Sequence, residues 1–298
     1  MKRPLDAPAG AVIGVPGKNR LTLHCTWNSG RPLSRQAAAG ATPDLLAQAL
    51  GSGQLTLPRG RADNALQAEH LRYRWGLPPR HTNLIPMLQY LTIPVTPFQQ
   101  NCSIVWCDAT RKAAIIDPGG DLDMLLAQIK RLGLTLEQIW LTHAHIDHAG
   151  GTGELAQRLQ LPIVGPHPGD QFWIDELPQQ SVMFGFPPAQ QFTPTRWLHD
   201  GDQVQIGNET LNVRHCPGHT PGHVVFHAPQ IDRAFVGDVL FAGSIGRTDF
   251  PQGNPQQLID SITQRLWPMG DQTVFIPGHG PESSFGRERQ SNPYVGGT

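Results

Sequence analysis

Four times in this chain of 298 residues, a side chain suited to metal ligation stands just past an apolar run short enough to be a β-strand. Ile139-Trp140-Leu141 leads into Thr142-His143-Ala144-His145-Ile146-Asp147-His148. A second run leads into His215-Cys216-Pro217-Gly218-His219-Thr220-Pro221-Gly222-His223, Phe235-Val236-Gly237 ends at Asp238, and Ile276-Pro277-Gly278 ends at His279. Such recurrence is expected when loops at one edge of a sheet sandwich converge on a single site. The Gly and Pro neighbours let the backbone turn sharply and approach closely.

The richest stretch, 143–148, holds three imidazoles and a carboxylate within six residues. His143 and His145 share one side of an extended chain, while Asp147 and His148 fall where it turns toward a helix. Imidazole and carboxylate suit zinc, iron or manganese, and a set without thiolate leaves the metal's identity open. A cluster of this density can serve two adjacent metals. The bland alternative, four polar residues in a surface loop, fits poorly with their position directly after a buried strand.

Around these motifs the pattern is regular from Met87 onward. Strands are predicted at 88–95, 102–107, 113–116, 138–142, 162–164, 204–206, 210–214, 223–227, 234–236 and 273–276. Helices are predicted from Leu122, with Asp121 as N-cap and Gly133 closing it, through Glu154–Leu159, and over Pro255–Leu266 with the proline in the first turn. Many strands with a few helices suggest an α+β protein of two sheets packed face to face with helices outside. No internal repeat is visible.

The charge is uneven. Residues 1–86 hold 11 Lys/Arg and 4 Asp/Glu, whereas residues 87–298 hold 12 and 20, so a net charge of −1 conceals a basic segment and an acidic one. The first segment has no sustained period, although 43–50 and 63–75 could each be a short helix. The expected organisation is a basic N-terminal extension over 1–86, disordered or lying upstream of the natural start, and one domain over 87–298. Its Arg-rich, acid-poor composition also fits an organellar transit peptide. Four cysteines in this length make no disulfide framework, which makes a reducing, cytoplasmic setting the default. No apolar run reaches the roughly 20 residues of a membrane helix, and the acidic domain argues against nucleic acid.

His143-x-His145-x-Asp147-His148, Pro-Gly-His219-Thr-x-Gly-His, Gly-Asp238 and Pro-Gly-His279-Gly together resemble the metal motifs of the metallo-β-lactamase superfamily. Gly246-Arg247-Thr248-Asp249-Phe250-Pro251 and the C-terminal tail are similar to the small glyoxalase II-type, hydroxyacylglutathione hydrolase-like enzymes. The resemblance covers 87–298 and implies the αββα four-layer sandwich. It implies two divalent metals, zinc first with iron or manganese as alternatives. His143, His145 and His219 would hold one metal, Asp147, His148 and His279 the other, and Asp238 would bridge them. It also implies orienting roles for Asp117 and His223, and substrate contacts for Arg247 and Asp249, for which a structural ion pair is the competing reading.

The activity so implied is hydrolysis of a glutathione thioester such as S-lactoylglutathione. A hydroxide shared by the metals would attack, with Asp147 orienting it. A thiolate can leave without an obligatory general acid, and the motifs contain none. Longer glyoxalase II enzymes carry a C-terminal helical domain that contacts glutathione; here 281–298 follow the last motif, and glutathione is expected to be held otherwise or less tightly. Two alternatives remain: a mononuclear-iron persulfide dioxygenase of the same superfamily, using His143, His219 and Asp238, and another thioester or ester hydrolase of this fold. Oligomeric state is not legible.

Overall fold

The computed structural model describes residues 11–12, 22–23 and 88–297. The chain divides into two units, 1–83 and 84–298. In the first, β1 (Ala11–Val12) pairs antiparallel with β2 (Thr22–Leu23). The helices predicted at 43–50 and 63–75 lie outside the described residues. Among the described residues, no helix is long and apolar enough to cross a membrane.

The second unit is built on two sheets. One has the order β3 (Leu88–Val95), β4 (Gln100–Cys107), β5 (Lys112–Ile116), β6 (Thr135–Trp140), β7 (Ile163–Val164). The other comprises β8 (Gln203–Ile206), β9 (Glu209–His215), β10 (Val224–Ala228) and β11 (Arg233–Gly237) in sequence as antiparallel neighbours. A parallel strand, β14 (Val274–Pro277), and an edge strand, β15 (Ser283–Ser284), complete it. In the chain between β11 and β14, a small separate hairpin forms from β12 (Leu240–Phe241) and β13 (Ser244–Ile245).

Strand alternation sorts the side chains into three apolar layers. On β5, Ala114 and Ile116 point between the sheets toward Phe226, Phe235 and Ile276. Ala113 and Ile115 point the other way, to a layer shared with Leu125, Ile129, Leu155 and Ile174 of the helices on that face. On β10, Phe226 faces inward, while Val225 joins Leu258, Ile262 and Phe285 beneath the helices of the second sheet. Both faces of each sheet are thereby covered, which explains why the central strands read as unbroken apolar runs. The result is the expected four-layer αββα sandwich.

Several boundaries differ from the sequence reading for local reasons. Asp121 precedes the helix Leu122–Arg131 but does not cap it: its backbone is left-handed and its Oδ2 accepts from the Thr96 amide at 2.7 Å. β6 stops at Trp140 because the Thr142 amide turns away to Asp117 Oδ1 at 2.7 Å. The helix at Pro255, capped by Asn254, is α only to Ser261 and widens to a π turn over Ile262–Leu266. Pro268, one turn on, has no N–H to return to Gln264. The helices Gln171–Asp175, Leu177–Phe184 and Phe285–Ser291 carried no clear periodic signal and were not anticipated.

Candidate metal centre

β5 and β6 run parallel, as do β11 and β14, so Asp117, the 142–148 loop, Asp238 and His279 all leave their strands at one edge. The turn between β9 and β10 brings His219 to the same edge. The two sheets are joined there, because Asn101 donates its amide to the Gly278 carbonyl at 2.7 Å and its Nδ2 to Pro277 and Gly280.

All seven residues proposed from sequence as ligands meet in this space. The ring nitrogens of His143, His145 and His219 lie within 4.8 Å of one another, and so do ligand atoms of Asp147, His148 and His279. Asp238 lies between the groups, with Oδ1 at 3.3 Å from His148 Nε2 and Oδ2 at 3.6 Å from His219 Nε2 and 3.7 Å from His279 Nε2. Asp147 Oδ2 is 3.0 Å from His279 Nε2. Arg247 and Asp249 do not join this space; they form a bidentate pair with each other at 2.7 Å, and both are exposed.

The tautomers follow from what stands behind each ring. His219 Nδ1 lies 2.7 Å from the Arg247 carbonyl, which can only accept, so Nδ1 carries the hydrogen and Nε2 is bare. His279 Nδ1 likewise donates to the Phe98 carbonyl at 3.2 Å. His148 Nδ1 donates to Asp117 Oδ2 at 2.9 Å. Thr142 gives its hydroxyl hydrogen to Asp117 at 2.6 Å, leaving its oxygen to accept from His143 Nδ1 at 3.0 Å. Four rings therefore aim a bare Nε2 at the site, each backed by an acceptor. His145 instead turns Nδ1 toward His219 Nε2, 3.0 Å away. Asp117, His143 and His148 also form a close cluster. The hydrogen bonds make Asp117 the backing of the site there rather than part of a third group.

These donors fit metal cations. His143 Nε2, His148 Nε2 and Asp238 Oδ1 are buried and make no hydrogen bond, and buried polar atoms rarely go unpartnered. Burial, reinforced by neighbouring imidazoles, holds His143, His145 and His223 well below the ordinary histidine range. Burial also lowers His219, against the pull of Asp238. All four rings are thus kept neutral, and neutral imidazole is the form that binds metal. For His148, burial opposes the charge, but Asp238, Asp147 and the Asp117 hydrogen bond outweigh it and raise the ring well above its usual value. His279 is raised in the same way, with Asp147 foremost against its burial. Burial would push Asp238 up; His148, His219 and His279 hold it far below the carboxylate range. Asp147 and Asp238 thus favour positive charge at this end of the site, a part that a divalent cation can take.

Gly278 has to be glycine. A Cβ there would overlap Asp238 Oδ1 and press on His148 Cε1 at 2.7 Å. Gly278→Ala is therefore expected to displace Asp238 and cost about 1–3 kcal/mol, the usual range for overpacking. A fall of several degrees in thermal midpoint would be the readout, and an unchanged midpoint would contradict this packing.

Asp117 and His223, expected behind the ligands, stand there: His223 stacks on His143 at 4.6 Å and its Nε2 accepts from the Asp238 amide at 3.0 Å. The sequence reading missed Asp170, Gln180 and Trp173, and quoted Phe250 within a motif without a role. Asp170 is fully buried and accepts from Ala144, Thr220 and Gly222. Gln180 Oε1 accepts from the Ile146 amide at 3.0 Å, and Trp173 and Phe250 pack edge-on to His145. Asp170 lies six residues past β7, at the end of a 3-10 turn, so the strand-end rule gave it only a weak signal. Gln180 lies on a helix without clear amphipathic spacing and had no such signal. Among the described residues, His167 stacks on His215 and meets His199 edge-on, and His227 lies on β10.

Comparison with known proteins agrees with this geometry. Residues 95–279 match the model of the metallo-beta-lactamase superfamily. The chain is 44% identical over 204 residues to hydroxyacylglutathione hydrolase GloC of Haemophilus influenzae, covering 68% of this chain and 96% of that one. Among solved structures, BLEG-1 B3 metallo-beta-lactamase is similar at 35% identity and a TM-score of 0.65, over 70% of this chain and all (100%) of that one. TTHA1623 in a di-iron-bound form is also 35% identical, with a TM-score of 0.63, over 69% and 100%.

Proposed function

Because the chain belongs to the metallo-beta-lactamase superfamily, we propose that it is a dinuclear metallohydrolase cleaving S-2-hydroxyacylglutathione thioesters to a hydroxy acid and glutathione. The observation that carries this reading is the second donor group, in which His279 stands 3.0 Å from Asp147 beside His148. A single iron on His143, His219 and Asp238 would leave that group without a task. Similarity to a hydroxyacylglutathione hydrolase along nearly its whole length supports the substrate class. The working domain in this reading is 87–298.

His143, His145 and His219 would hold one cation, Asp147, His148 and His279 the other, and Asp238 would reach both. Zinc, iron and manganese all accept these donors. Two divalent cations supply Lewis-acid polarisation of the thioester carbonyl and acidify water. The chain's own residues do the rest. Asp147 orients the attacking water through its carboxylate, and Asp117 and the carbonyls of Arg247 and Phe98 keep the ligand rings in their bare-Nε2 tautomers. Trp173 and Phe250 shield His145 from solvent. The departing thiolate needs no acid from the protein.

Elemental analysis beside an assay on S-lactoylglutathione tests this reading. Two metals per chain and thioester cleavage are expected; one iron, persulfide-dependent oxygen uptake and no cleavage would overturn it.

Arg247 engages two donors with Asp249 and stacks its guanidinium 4.2 Å over the Phe250 ring. Its remaining N–H groups are assigned to a substrate carboxylate. Arg247→Ala is expected to raise KM about tenfold, the worth of a charged hydrogen bond, with kcat nearly unchanged. Stability should stay close to that of the wild type, since the pair is exposed and screened by solvent. An unchanged KM would reduce Arg247 and Asp249 to a structural pair.

A further inference from the structure

We infer that Asp170 is a positioning residue for one metal group only, His143, His145 and His219, acting through the backbone that carries those rings. The inference rests on the two-metal reading above. None of the three hydrogen bonds to the Asp170 carboxylate comes from a ligand side chain, yet all three come from the loops that carry the ligands. Oδ2 accepts from the Ala144 amide at 3.1 Å, between His143 and His145, and from Thr220 Oγ1 at 2.9 Å, next to His219. Oδ1 accepts from the Gly222 amide at 2.5 Å. A single buried carboxylate thus ties the loop after β6 to the turn before β10 and sets the distance between His145 and His219.

The segment bearing Asp170 is braced on the same turn. The His167 amide donates to the Gly222 carbonyl at 3.0 Å, and its ring stacks on His215 at 4.0 Å. His215 Nε2 donates in turn to the Pro221 carbonyl at 2.8 Å. Gly169 lies so close to Pro221 that a Cβ would meet its oxygen at 2.9 Å. The other donor group has a different support: His148 rests on Asp117 and His279 on Phe98. Removing Asp170 therefore loosens one metal site and leaves its neighbour held.

Asp170→Asn is the sharpest variant. Both carboxylate oxygens accept from a backbone N–H, so an amide nitrogen on either side faces a donor. The probe is Zn²⁺ alone, titrated into the metal-free full-length chain against a chromophoric chelator. One of the two equivalents is expected to weaken 10–100-fold, the usual effect of losing support behind a ligand, and the other to keep its affinity. In a His279→Ala background, which retains the first group, the remaining equivalent should weaken by the same factor. Thr220→Val, which removes one donor and keeps the side-chain shape, should give a smaller shift of the same equivalent and carries the test if Asp170→Asn does not fold. Equal weakening of both equivalents, or a lowered melting point with both affinities intact, would overturn the inference. A wild-type chain binding fewer than two equivalents would count instead against the two-metal reading.

Discussion

Replacing His279 by alanine should leave one bound metal per chain and lower kcat on S-lactoylglutathione by on the order of 10²–10³, the scale for deleting one electrostatic stabiliser of the transition state. His279 is the only ligand-type residue contributed by β14, and it completes the group with Asp147 and His148. Its ring is 30% exposed, so its loss opens no core cavity. The metal-free variant should accordingly melt close to the wild type. A His279→Ala chain that turns over normally with one metal would refute the two-metal mechanism.

Asp117→Ala should be the most damaging substitution outside the ligands. Its carboxylate accepts from the Thr142 amide, the Thr142 hydroxyl and His148 Nδ1. Alanine leaves these buried donors unpaired, at about 1–3 kcal/mol each where no water replaces the partner. It also frees two ring tautomers at once, His148 directly and His143 through Thr142. Since those rings belong to different groups, both metal equivalents should weaken, each by about 10–100-fold. This distinguishes Asp117 from Asp170, whose loss should touch one. Chelator competition on Asp117→Ala decides the point: weakening confined to one equivalent would break the link through Thr142.

Much of the centre was legible because its chemistry is written locally. A ligand needs a particular side chain, and a strand end needs an apolar run followed by a turn, so both leave marks within a few residues of His143, His219, Asp238 and His279. Asp170 and Gln180 left weaker marks. Their partners lie between 26 and 52 residues away, and an acid or amide reads the same whether it faces solvent or three buried donors. The pairing of Arg247 with Asp249, two residues apart, was foreseen as one of two outcomes. Asp121 misled, because its carboxylate had a better partner in Thr96 than in its own helix.

By itself the sequence determined the family, through its motifs, and the four-layer arrangement, through periodicity, and it named the side chains proposed as ligands by residue type next to a strand. Tertiary structure alone decided which histidine nitrogen faces the centre, which residues stand behind it and how the rings divide their charge. Those properties depend on carbonyls and carboxylates brought from distant strands into one buried space. The basic and acidic segments of the chain show the same division, because net charge is additive along the sequence while the state of Asp238 or His148 is set by neighbours that only folding supplies.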